Sequence, residues 1–224
     1  MPRQLKRFNP KGSKYERKTL DKHGREVVKP FKKEDYEEMQ RILRVRMESL
    51  EETSEEYFRW YRLKILMHLG VNTGLRITTL IELTPRDISD GEVTFTEHKT
   101  GKRMQYSMSK EVMQPINDYI KWLGITQSQY LFPSSKENNF PINRVTAWRQ
   151  IKALAKEVGV KYQIGCHSMR KSFGRWYYDE THDLLQTQRL LMHESPIVTM
   201  AYICLEYGDV QKEREKINYG TKWE

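Results

Sequence analysis

The chain has 224 residues, enough for one domain with a short appendage and for a core that needs no disulfide or metal staple. No apolar run reaches the roughly 20 residues that span a bilayer, and the opening "MPRQLKRFNPKGSK" lacks the apolar centre of a secretory signal. The net charge of +9 is placed unevenly: residues 1–33 hold twelve Lys and Arg against three acids, and the other residues hold 27 of each sign.

A basic arm on a neutral body is a footprint of nucleic-acid binding, because each lysine near a phosphate releases a counterion. A solvated tail has the same composition, so charge leaves both readings open. Two cysteines, Cys166 and Cys204, fit a reduced compartment, and the expected location is the cytoplasm. Cys166 beside His167 lacks the second pair that a zinc site needs.

Within the arm, "YERKTLDKHGREVVKP" carries a turn signal at Asp21 to Gly24 between two short strand candidates, and Pro30 closes it. "KKEDYEEMQRILRVRMESL" then has helical spacing through Tyr36, Met39, Ile42, Leu43 and Met47. The next helix opens with a capping box, Thr53 and Glu56, and its apolar content predicts a core helix ending between Gly70 and Gly74. "LRITTLIEL" restarts a short helix that Pro85 stops. The period then changes: Val93 and Phe95, then Met104, Tyr106 and Met108, predict a hairpin whose tip carries Lys99, Gly101 and Lys102. Further helices are expected at 110–123, 143–158, 168–180, 183–192, 196–206 and 209–217. The fold class is mainly α with a small antiparallel β-sheet.

His167 and Arg170 lie three apart, on one face of the first turn of a helix. Unpaired N–H groups and the helix dipole favour an anion there. Arg76, just past Gly74, has a parallel setting. Guanidinium forks match phosphate oxygens in pairs, so two arginines and a histidine on one point suit a phosphate. Each alone is common on a helical surface, and H-x-x-R is a short motif. The order along the chain carries more: Arg76 in "TGLR", Lys99 in "HKTGK", His167-x-x-Arg170, His193 and Tyr202.

That order resembles the tyrosine recombinase family, also called the phage integrase family. "NTGLRITTLIELTPRDI" is similar to its first arginine box, "CHSMRKSF" to its second, and "LLMHESPIVTMAY" to its closing histidine-to-tyrosine box. The resemblance covers about residues 31–206. It implies a catalytic domain over 31–208, with the basic arm at 1–30 and a tail helix at 209–224 that docks on a neighbouring protomer. It also implies cutting and rejoining of double-stranded DNA at specific sites, by four protomers on paired sites. Neither a metal nor a nucleotide cofactor is required, and an accessory DNA-bending protein is a candidate partner. Tyr202 would be the nucleophile of a 3′-phosphotyrosyl link, and His167 a base or phosphate donor. Arg76, Arg170 and His193 would hold the phosphate oxygens, and Lys99 would protonate the leaving 5′-oxygen. Lys6, Arg7, Lys11 and Lys14 in the arm, with Lys102 and Arg103 in the hairpin, are candidate DNA-backbone contacts.

Rivals remain. Lys102 competes with Lys99, and Tyr207 with Tyr202, whereas Tyr177 and Tyr178 share the helix of Arg170. His68 and His182 read as structural or surface residues. The chain departs from the family at Thr79, where an acid is usual and for which Glu82 is the candidate substitute. It departs again at Met192 in place of a glycine, at "YIC" after the position of the tyrosine, and in lacking a helical clamp ahead of residue 31. Two other readings share the boxes: a relaxing enzyme like type IB topoisomerases, and a non-catalytic DNA-binding regulator.

Overall fold

The computed structural model describes residues 26–89, 91–96, 101, 103–136, 139–217 and 220. The larger of two compact units runs from Val28 to Cys204. Residues 28–30, expected in the arm, belong to it: Lys29 N donates to Gln163 O at 2.9 Å, and the next amide, Phe31 N, to Ser172 Oγ at 2.8 Å.

Helix α1 (Lys33–Glu48) carries Glu34 and Asp35 at its positive end and buries Met39, Leu43 and Met47, four apart on one stripe. Helix α2 (Glu55–Thr73) begins one residue later than the capping box predicts. Ser54, not Thr53, is the N-cap, and its hydroxyl accepts from Tyr57 N at 3.1 Å. From Leu63 onward α2 is buried almost all round, with Leu63, Ile65, Leu66, Met67, Leu69 and Val71 inside. It is the central helix, packed against α1, α4 (Lys110–Leu123) and α6 (Ser168–Thr181). Tyr57, Tyr61 and Trp122 form a tilted ring cluster joining α2 to α4.

Helix α3 (Ile77–Ile81) and a 3₁₀ turn at Pro85–Asp87 lead to a three-stranded antiparallel sheet, β1 (Ile88–Ser89), β2 (Glu92–Thr96) and β3 (Arg103–Ser107), in that order. The hairpin has the expected phase, with Val93 opposite Tyr106 and Phe95 opposite Met104 on the covered face. Strand β1 is too short to show a period, and the alternation did not reveal it. Tyr106 ties the sheet to the rest: its hydroxyl donates to Leu190 O at 2.9 Å and its ring stacks on Phe173.

Helices α5 (Arg144–Val158), α7 (Leu184–Leu190) and α8 (Pro196–Tyr202) complete the unit. Helix α8 stops four residues short of the expected end, because Cys204 has turned left-handed at φ 65°. The smaller unit includes α9 (Tyr207–Glu215), capped by Glu206, whose amide bonds to Asp209 Oδ2 at 2.9 Å. Among the described residues, no helix is long and apolar enough to cross a membrane.

Candidate active site

Four separate segments converge on Tyr202. The first is the end of α2. Gly74 closes that helix in the left-handed region at φ 62°, and a Cβ there would lie 2.2 Å from Phe173 Cδ1. Both the dihedral and the crowding demand glycine. The bare backbone lets the Gly74 carbonyl accept from Arg170 Nη1 at 2.6 Å. Two residues on, Arg76 is the extended N-cap of α3.

The second segment is α6. His167 is its N-cap and Arg170 lies in its first turn, as the spacing predicts. Arg170 is 3% exposed, and its Nη2 donates to Leu191 O at 2.6 Å. One guanidinium thus joins the end of α2 to the end of α7, a fork geometry that an ammonium does not reproduce.

The third segment is the turn after α7. Met192 stands where the family has glycine, and its φ of 51° is in the left-handed region. That explains the family's glycine and costs this chain on the order of 1 kcal/mol. The turn is held by His193 N donating to Gln188 O at 3.0 Å and by Gln188 Nε2 donating to His193 O at 2.9 Å. His193 Nδ1 lies 3.1 Å from the hydroxyl of the buried Thr199.

The fourth is the end of α8. A Cβ on Gly174 of α6 would lie 2.7 Å from Leu191 Cδ1 and 3.0 Å from Ile203 Cγ2. The missing side chain is therefore what lets both buried residues, and Tyr202 with them, lie close against α6. The Tyr202 hydroxyl is 3.4 Å from His167 Nδ1, and its ring meets that of His193 edge-on at 4.8 Å and 76°.

The electrostatics follow from this crowding. Burial pushes the Tyr202 phenol above its ordinary value, against the fields of Arg170 and Arg76 and a hydrogen bond from Arg170. The His167 imidazole is pushed down, first by desolvation and then by Arg170, Lys171, Arg76 and Arg144. A neutral imidazole nitrogen therefore sits beside a protonated phenol, among cations suited to an anion.

Of the predicted set, Arg76, His167, Arg170, His193 and Tyr202 are brought together. Lys99 lies outside the described residues, as do Lys6, Arg7, Lys11, Lys14 and Lys102 and the arm's turn at 21–24. Arg103 is exposed at the start of β3. Tyr177 is engaged elsewhere, donating to Gln186 Oε1 at 2.9 Å. His68 is structural: its Nε2 lies 2.9 Å from Val112 O and burial lowers its basicity. His182 is the exposed C-cap of α6. Thr79 is 4% exposed, and its hydroxyl has no hydrogen-bond partner among the described residues, whereas Glu82 is an exposed C-cap. The sequence reading missed two cations: Lys171, buried beside Tyr202, and Arg144, at the start of α5. Arg144 follows an N-cap asparagine, a signal that marks a helix start but no function. No cluster of three or more His, Cys, Asp or Glu able to hold a metal occurs among the described residues.

Comparison with known proteins bears on this site. Residues 40–208 match the phage integrase family. The chain is 30% identical over 181 residues to the probable integrase/recombinase YoeC of Bacillus subtilis (strain 168), covering 80% of this chain and 91% of that protein. It is 32% identical over 147 residues to the tyrosine recombinase XerD of Vibrio vulnificus (strain YJ016), covering 62% of this chain and 47% of that one. It thus spans about half the length of the XerD relatives it matches. In fold it is similar to the crystal structure of XerA recombinase, with a TM-score of 0.67 and 18% identity over 85% of this chain and 66% of that chain. It is also similar to XerH site-specific recombinase bound to palindromic difH substrate in a post-cleavage complex, with a TM-score of 0.66 and 16% identity over 87% of this chain and 55% of that chain.

Proposed function

The chain belongs to the phage integrase family, and from that premise we propose that it cuts and rejoins double-stranded DNA at specific sites, with Tyr202 as the nucleophile. The observation that carries the assignment is the convergence of Arg76, His167, Arg170 and His193 on one tyrosine.

The Tyr202 oxygen attacks a backbone phosphorus and the bond from phosphorus to the 5′-oxygen breaks. A phenol with a raised pKa does not ionise unaided near neutrality, so its proton passes to His167 Nδ1 at 3.4 Å. The phosphate oxygens gain charge in the transition state. Arg76, Arg170 and His193 hold them with donors already anchored by the fold, so little reorganisation is needed. Lys99 protonates the departing 5′-oxygen. The 3′-phosphotyrosyl link conserves the energy of the broken bond, and attack by a 5′-hydroxyl reverses the sequence. Integration, excision and inversion use the same strand exchange and differ in how the two sites are placed and oriented.

Residues 31–208 form the catalytic domain in this reading, and the basic arm at 1–30 supplies phosphate contacts through Lys6, Arg7, Lys11 and Lys14. Four protomers act on paired sites, the tail at 209–224 docks on a neighbour, and an accessory DNA-bending protein assists assembly. The substrate and the two free cysteines support a cytoplasmic place of action, at the nucleoid.

The test uses DNA nicked beside the cleavage point, drawn from the native genomic neighbourhood, with wild type and Tyr202→Phe. A covalent protein–DNA band that disappears in the variant is expected. A band that persists in Tyr202→Phe would place the nucleophile elsewhere.

A further inference from the structure

Lys171 follows Arg170 on α6. In a sequence it reads as a solvated charge, but it is only 7% exposed. Its Nζ lies 4.9 Å from the centroid of the Tyr202 ring and 3.8 Å from Cys204 Sγ. Cys204 is itself buried and in the left-handed region at φ 65°, so the chain just after the tyrosine folds back toward the same ammonium. Enclosing an ammonium is costly, and lysine is among the residue types least often buried. Its position over the ring of the proposed nucleophile calls for a reason.

We propose that Lys171 is a positioning residue for strand cleavage: its ammonium holds the Tyr202 ring in place and stabilises the negative charge that spreads into the ring as the hydroxyl proton leaves. The inference rests on Tyr202 being the nucleophile and adds a residue outside the six of the family pattern. A cation over an aromatic face is attracted to the π cloud of the neutral phenol and more strongly to that of the phenolate. The labour is divided: Arg76 and Arg170 act at the hydroxyl end, where the phosphate is to bind, while Lys171 addresses the ring.

Among the described residues, the charged and titratable groups around Tyr202 include His167, Arg170 and Lys171 from α6, Arg76 from the start of α3, His193 from the turn before α8 and Cys204 on its own segment, with Arg175 of α6 donating to the Cys204 carbonyl and Arg144 of α5 acting on His167. Removing one cation leaves the others in place. A cation 4.9 Å from the ring centroid favours the phenolate by up to about one unit, so the phenolate fraction at a given pH should fall by up to about tenfold.

The test needs no DNA at first. The full chain is made with 3-fluorotyrosine at position 202, and its fluorine resonance is titrated in wild type, Lys171→Met, Lys171→Gln and Lys171→Arg. The neutral variants are expected to titrate about one unit higher, and Lys171→Arg close to wild type. Gln is the alternative if the Met variant does not fold. The same pKa in wild type and a folded neutral variant would overturn the proposal, even if no DNA substrate is ever found.

On DNA that wild type cleaves, single-turnover adduct formation by Lys171→Met should be about tenfold slower near neutrality. Fluorotyrosine at 202 should restore part of that loss. A loss unmoved by fluorotyrosine would mark Lys171 as merely structural. Failure of wild type to form any adduct would count against the recombinase reading and leave the titration result standing.

Discussion

Arg170→Lys separates the anchoring and the chemistry of the guanidinium at the centre of the site. The wild-type fork donates at 2.6 Å to the carbonyl of Gly74, at the end of α2, and at 2.6 Å to that of Leu191, past the end of α7. Both acceptors are in buried residues. A lysine keeps the charge but brings a single ammonium, so one carbonyl is left unsatisfied. A buried unsatisfied group with a charged former partner costs about 1–3 kcal/mol. For a domain of this size that corresponds to a fall of about 2–12 °C in melting temperature. The loss of a planar donor pair at the phosphate should slow cleavage about 100-fold or more. Circular dichroism melts measure the first effect. Single-turnover formation of the covalent adduct, well below either melting temperature, measures the second. An unchanged melting temperature would refute the claim that this fork joins α2 to α7. Cleavage within threefold of wild type would refute the argument that bidentate geometry matters at the phosphate.

Three further outcomes are expected. Cleavage should rise with pH as His167 loses its proton, with the midpoint of that rise below the ordinary histidine value of about 6.5, and His167→Gln should abolish that limb of the profile. The same depressed pKa means the unfolded state takes the proton first, so His167's contribution to stability is complete above about pH 6.5 and is lost as pH falls toward its folded value; acid titration of the melting temperature reads this. Gly74→Ala meets both a left-handed backbone and Phe173 at 2.2 Å, and urea unfolding should show a loss of about 2 kcal/mol or more. Deleting residues 1–27 removes most of the basic excess, so DNA affinity should fall and the log–log salt slope should flatten; an unchanged slope would show that the arm touches no phosphate.

Much of this protein was legible in its sequence, for reasons of period and spacing. Helical stripes such as Met39, Leu43 and Met47 and the alternation of Val93 and Phe95 follow from burying one face of a regular element. Those patterns predicted the helices and the hairpin to within a few residues. The order Arg76, His167, Arg170, His193 and Tyr202 was also visible, through its resemblance to the boxes of a known family. Local chemistry near the ends of elements was less legible. Thr53 and Ser54 are both good caps, and the backbone took the second. The left-handed residues Met192 and Cys204 carry side chains that normally avoid that region, so nothing in their identity announces the turns they make.

What the tertiary structure alone decided is the environment of each group. In sequence Lys171 is a lysine on a charged helix, and only the packing of α8 onto α6 across Gly174 places it over the Tyr202 ring. The same packing lowers His167 and raises Tyr202, shifts that depend on burial and on charges contributed from distant segments. A sequence specifies which groups are present and in what order, whereas desolvation and through-space fields fall off over a few ångströms and exist only once the chain has closed.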